Sequence, residues 1–125
     1  MPLKVRNVTK DKLLADRAEE ARTFSQRLVG LMGKKELPFG AGLHIVPCNS
    51  IHTFFMRIAI DVLFLDRSLK VVKAFPALPP WRMSSIYFSA HSVLELPSGT
   101  VAASGTSDGV QLELSNPLTG ETRVA

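Results

Sequence analysis

The chain has 125 residues, 46% hydrophobic and 21% charged, with a formal net charge of +4. That length supports one domain burying roughly two-thirds of its unfolded surface, in a composition ordinary for a globular protein. No apolar run approaches the ~20 residues of a membrane span. The single cysteine excludes an internal disulfide and suits a reducing compartment. The opening MPLKVRNVTKDK lacks the apolar core of a signal peptide, so the cytoplasm is the expected location.

In chain order, Leu3 to Val8 alternates as a strand does. Asp11 to Arg22 admits two readings. Leu14, Ala18 and Ala21 sit at helical spacing and the propensities favour helix, while a strand pairing back onto the first competes. Thr23 or Ser25 can cap a helix that runs through Leu28 and Leu31 and stops near Gly33. Leu37 to Gly42 reads as a loop by its proline and glycines. Leu43 to Val46 reads as a short strand, and Ile51 to Met56 is strand-like in composition.

Ile60 to Leu65 (IDVLFL) is too short for a typical helix and rich in strand formers, so it reads as a buried strand. Asp66-Arg67-Ser68-Leu69 supplies turn chemistry and Lys70 to Phe75 returns, giving a hairpin. Pro76 to Ala90 is a long connection carrying Trp81, Arg82 and Tyr87, a candidate binding loop. The competing expectation is that Trp81, Tyr87 and Phe88 cover one end of the core. Ser92 to Leu96 is a strand with Glu95 a candidate to point inward, Pro97 to Thr100 a turn, and Val110 to Leu114 the last strand. These elements predict a mainly β domain over residues 1–114, at the margin of α+β, as a β-sandwich or barrel with one short helix near residues 24–32. Residues 115–125 form a polar tail.

Asp61 is the odd member of its run, since an ionised carboxylate beside Ile60 and Val62 is costly unless paired or hydrogen-bonded. Arg57 and His52 are its nearest candidate partners in sequence. With Glu95 they make the candidate polar site: His52, Arg57, Asp61 and Glu95, the polar groups set in otherwise apolar, strand-like stretches. The competing expectation is structural, with His52 a satisfied, partly buried histidine and Arg57–Asp61 an ion pair or hydrogen-bonded corner. Cys48, His52 and Met56 recur at four-residue intervals. On a strand such positions lie roughly 13 Å apart, so one metal ion cannot join them there. Neither a metal site nor a cofactor is expected.

Residues 1–82 carry a net charge of +7 and residues 83–125 a net of −3. The basic residues are scattered, which favours a solvated face over a nucleic-acid surface.

The spacing of several motifs resembles the domain-of-unknown-function 192 family. They are Arg27 with Gly30-Leu31-Met32-Gly33, Leu37-Pro38, Gly42-Leu43, Ser50-Ile51-His52-Thr53-Phe54 and Met56-Arg57. Ile60-Asp61-Val62, Phe64-Leu65-Asp66 and Ser92 to Pro97 followed by Gly99 complete the set. The resemblance implies a small β domain of sandwich or barrel type with one short helix, and makes part of Asp11–Arg22 a strand. The family has no settled activity, so it transfers a fold. Ala59 stands where the family usually has proline, and Asp108-Gly109 reverse the family's Gly-Asp order.

Three functional readings follow. The first is a non-enzymatic accessory module binding a small ligand or a protein partner, because no complete catalytic motif is present. The second is a hydrolase-like or acid/base enzyme built from His52, Asp61 and Glu95 with Cys48 as nucleophile, which requires cysteine and histidine to meet within hydrogen-bond reach. The third is a weak nucleic-acid binder resting on charge alone.

Overall fold

The computed structural model describes residues 2–123. Eight strands form one sheet: β1 (Leu3–Asn7), β2 (Lys12–Ala21), β3 (Gly40–Ile45), β4 (Ile60–Leu65), β5 (Val71–Leu78), β6 (Ser92–Pro97), β7 (Leu112–Ser115) and β8 (Thr122–Arg123). Their order is β5-β4-β6-β3-β2-β1-β7-β8. Every neighbouring pair is antiparallel except β2 and β3. That parallel pair needs a crossover, which contains the helix α1 (Phe24–Val29). The expectation of a mainly β domain with a short helix in this region holds. Of residues 11–22, Lys12–Ala21 form strand β2, in line with the part-strand that the family resemblance implied.

The sheet curls on itself. Lys70 opposes Gln111 in an isolated bridge. The Val71 N–H donates to the Val110 carbonyl at 2.8 Å, and the Leu112 N–H to the Leu69 carbonyl at 2.9 Å. The start of β5 thus meets the approach to β7, and the curl becomes a half-barrel. Inside it lie Val5, Leu14, Leu63, Leu65, Leu94, Leu96, Leu112 and Leu114. Outside, Leu43, Ile45, Val62, Phe64 and Val93 form a second apolar cluster beneath Leu31, Ile51 and Met56. Two covered faces explain why IDVLFL is apolar at both parities: all six residues of β4 are buried.

Local chemistry accounts for the junctions. Thr23 caps α1 by accepting from the Gln26 N–H, while the Gln26 side chain accepts from the Thr23 N–H, a complete capping box. The helix ends at Gly30, earlier than Gly33. Between β4 and β5, Asp66 Oδ1 accepts from the N–H groups of Ser68 and Lys70, both at 2.9 Å.

Four segments differ from their sequence reading. Gly40 to Gly42 opens β3 rather than lying in a loop. A second helix, α2 (Thr100–Ser104), occupies what reads as the end of a turn. Within the polar tail, Ser115 closes β7 and Thr122–Arg123 pair with it. Ile51 to Met56 is not a strand: it makes a single bridge, His52 opposite Met83, and then turns at Phe54–Phe55. The cause is Thr53, fully buried, whose hydroxyl donates to the Pro79 carbonyl at 2.7 Å and accepts from the Arg82 N–H at 2.8 Å. Its hydrogen bonds tie the segment to the 79–83 loop instead of to the sheet.

Candidate functional site

The predicted polar residues divide between the two faces of the sheet. Asp61 opposes Leu96 across β4 and β6, while Glu95 opposes Val62. Side chains alternate along a strand, so Asp61 faces into the half-barrel and Glu95 faces outward beneath α1. One polar site cannot contain both.

Asp61 is fully buried, and its carboxylate accepts from the Ala77 N–H at 2.8 Å and the Val101 N–H at 2.7 Å. The expected cationic partner is absent: among the described residues no ion pair forms to Asp61, and Arg57 lies exposed. Gly99, at the N-cap of α2, has no side chain to satisfy the helix's first N–H groups. Asp61 supplies that acceptor from β4 and also holds the end of β5, so two backbone donors replace the cation. These hydrogen bonds tie β4 to β5 and to α2.

Glu95 is different. It is 3% exposed, and among the described residues its carboxyl makes no hydrogen bond or ion pair. Burial alone pushes its pKa up to about 7. The carboxyl lines a recess of about 110 Å³, whose walls include Arg27, Gly30, Cys48, Ser50, His52 and Met56. Gly30 ends α1 with φ of +49°, and a Cβ there would stand 4.0 Å from Glu95 Oε1. The helix therefore turns directly over the carboxyl.

The other polar walls are partly committed. Arg27 Nη1 donates to the Pro47 carbonyl at 3.2 Å, while its buried Nε has no partner among the described residues. The Cys48 thiol donates to the Ser50 carbonyl at 3.1 Å. Burial pushes that thiol up, the Ser50 contact lowers it, nearby Glu95 raises it and Arg27 lowers it, with burial the largest effect. A thiol held protonated is a poor nucleophile. His52 Nδ1 accepts from the Phe54 N–H at 3.2 Å, which assigns the proton of the neutral ring to Nε2. Among the described residues no hydrogen bond joins Cys48 to His52.

Cys48, His52 and Met56 do share this recess, because the segment folds back instead of extending. Among the described residues, no three His, Cys, Asp or Glu side chains are grouped to hold a metal ion.

Beside the recess, the predicted binding loop divides. Trp81 and Arg82 are exposed, whereas Tyr87 packs on Phe64 and Phe75 at ring-centroid distances of 4.6 and 6.0 Å. Tyr87 covers the core; Trp81 and Phe88 do not, at 57% and 87% exposed. Trp81 stacks near Phe55 at 4.9 Å and Phe54 at 5.9 Å, and Phe54 against His52 at 5.0 Å. Trp81 and Phe55 hold φ of +64° and +65°, a strained setting for bulky residues. Gly30 and Arg27, which line the recess, were not among the residues picked from the sequence. Both stand in the motif that carries the family resemblance.

No helix among the described residues is long and apolar enough to cross a membrane. The UPF0127 protein of Pyrococcus furiosus is 35% identical over 112 residues, covering 86% of this chain and 94% of that protein. A UPF0127 protein of Thermococcus sibiricus is 38% identical over 100 residues, covering 76% of this chain and 64% of the other. Two solved structures share the fold. A protein of unknown function from Novosphingobium aromaticivorans matches with TM-score 0.76 at 22% identity, covering 90% of this chain and 83% of that one. One from Sinorhizobium meliloti, described provisionally as a transcription regulator, matches with TM-score 0.75 at 23% identity, covering 90% and 91%. The family model described as uncharacterized ACR matches residues 5–114, and the chain belongs to that family, DUF192.

Proposed function

We propose that the protein is a non-enzymatic accessory module of the cytoplasm that binds a small ligand in the recess between α1, residues 47–52 and β6. One observation carries this reading: Glu95, 3% exposed, opens into that recess with no hydrogen-bond or ion-pair partner among the described residues. Buried polar groups in native proteins are almost always satisfied, and an exception calls for a functional cause. A ligand bearing an N–H donor completes Glu95, and an acceptor on the same ligand completes Arg27 Nε. His52 supplies a third polar contact, while Met56, Leu31 and Ile45 give an apolar wall. Arg57 and Asp61 have no part in it.

A second reading, acid/base catalysis by Glu95 with His52, draws support from the Glu95 pKa of about 7, near an operating pH. The protonated Cys48 and the lack of a Cys48–His52 hydrogen bond weigh against a thiol hydrolase. The exposed Trp81–Arg82 platform supports protein binding next to the recess. Nucleic-acid binding rests on net charge alone.

The test is a fragment screen on ¹⁵N-labelled protein. N–H-donor fragments are expected to shift the amides of Gly30, Cys48 and His52, and Glu95→Gln to lose those shifts. Fragments that move only residues of the Trp81 platform overturn the small-ligand reading. Turnover of ester, amide or phosphate substrates that His52→Ala abolishes establishes the enzyme instead.

A further inference from the structure

The Glu95 recess has a second, outer compartment. A wider cleft of about 510 Å³ is lined by Arg67 on the β4–β5 turn and by His91 before β6, together with Arg27, Pro47, Cys48 and Ser50. The last four residues also line the inner recess, so the two concavities adjoin along a shared wall. The outer cleft is the more basic of the two. The outer cleft is lined by two arginines and a histidine, with no acid among its lining residues. The inner recess shares Arg27 and adds the one acid, Glu95.

The two ends also lack partners in complementary ways. Glu95 is 97% buried by its 3% exposure and accepts nothing among the described residues. Arg27, at the junction, keeps a buried Nε without an acceptor among the described residues. Arg67 is exposed and enters no ion pair among the described residues. A ligand that were only an anion would leave Glu95 unneutralised in the interior, and a simple amine would meet two arginines on the way in. A molecule carrying opposite charges at its two ends satisfies both together.

We propose that the two concavities join as one depression that binds a small zwitterion, with a phosphate or carboxylate on Arg27 and Arg67 in the outer cleft and a primary ammonium on Glu95 within. This rests on the reading of the Glu95 recess as a ligand site and names the class of ligand. Arginine suits the anionic end, because its planar fork matches both oxyanions. The ammonium suits the inner end, because a point charge with three donors can complete an otherwise unpartnered carboxylate.

Calorimetric titration of the full chain near neutral pH tests it with three probe sets: ω-aminoalkyl phosphates of increasing chain length, ω-amino acids of matched length, and alkyl phosphates or alkylamines bearing one group only. At least one zwitterion is expected to bind about tenfold or more tighter than either matched one-ended compound, one charge-assisted contact's worth. Glu95→Gln erases the advantage over the alkyl phosphate, and Arg67→Ala erases the advantage over the alkylamine. Binding confined to the amino acids or to the aminoalkyl phosphates identifies the anion. If no zwitterion outperforms both halves while fragments still map to Gly30, Cys48 and His52, the zwitterion assignment is overturned and the ligand recess stands. If the fragments also fail to map there, the recess reading falls with it.

Discussion

Glu95 is a liability to the fold, and replacing it should stabilise the protein in a pH window set by its titration. Its folded pKa of about 7 lies above the ordinary value of 4.5. Below pH 4.5 the group is protonated in both folded and unfolded chains, and nothing is lost. As pH rises from 4.5 to about 7 the unfolded chain releases the proton while the folded one retains it, so stability falls. Above about 7 the penalty is complete, at about 3 kcal/mol for a shift of that size. Glu95→Gln keeps the shape and removes the titration. Burial of the amide adds a pH-independent cost that cancels when one protein is compared with itself at two pH values. Urea unfolding of both proteins at about pH 4 and about pH 8 gives the result: the wild type should lose about 3 kcal/mol more than the variant between them. Equal losses would mean that Glu95 is already neutralised or hydrated, refuting the reasoning. A residue that weakens the fold at neutral pH is where function and stability trade against each other.

Asp61→Ala should destabilise the domain by about 3–5 kcal/mol in chemical denaturation, since it strips charge-assisted hydrogen bonds from two backbone donors; a change below about 1 kcal/mol would show those N–H groups finding other acceptors. Gly42→Ala places a Cβ 3.0 Å from Leu96 Cδ2 and 3.3 Å from the Glu95 carbonyl, so thermal melting should show a loss of about 1–3 kcal/mol from overpacking. An unchanged midpoint would mean that β3 and β6 yield freely. The Cys48 thiol should alkylate more slowly than a free thiol at mildly alkaline pH, and Glu95→Gln should speed it by removing the adjacent negative charge. Identical rates in both proteins would place Glu95 too far away to act.

Much of the architecture was legible because it depends on short-range chemistry. IDVLFL announces a doubly covered strand, Asp66 its turn, and Thr23 the start of α1. What escaped depends on register and distance. Asp61 draws its donors from residues 16 and 40 positions away, so its sequence neighbours Arg57 and His52 were misleading. Asp61 and Glu95 read as companions, yet the β4–β6 register puts them on opposite faces, and parity within a strand says nothing about register between strands. The five-residue α2 is too short to show helical periodicity. Ile51–Met56 has strand composition, but Thr53 diverts it into a loop, and that diversion brings Cys48, His52 and Met56 to one recess. Of the four polar residues picked from sequence, the recess keeps His52 and Glu95.

The most direct measurement follows the carboxyl carbon of Glu95 by ¹³C NMR across the pH range, with the amides of Gly30 and Cys48 observed alongside. An unpartnered carboxyl facing the recess predicts a midpoint about 7, shared by those amides. A midpoint in the ordinary carboxylate range, with Gly30 and Cys48 unmoved, would contradict it and leave the recess without its ligand anchor.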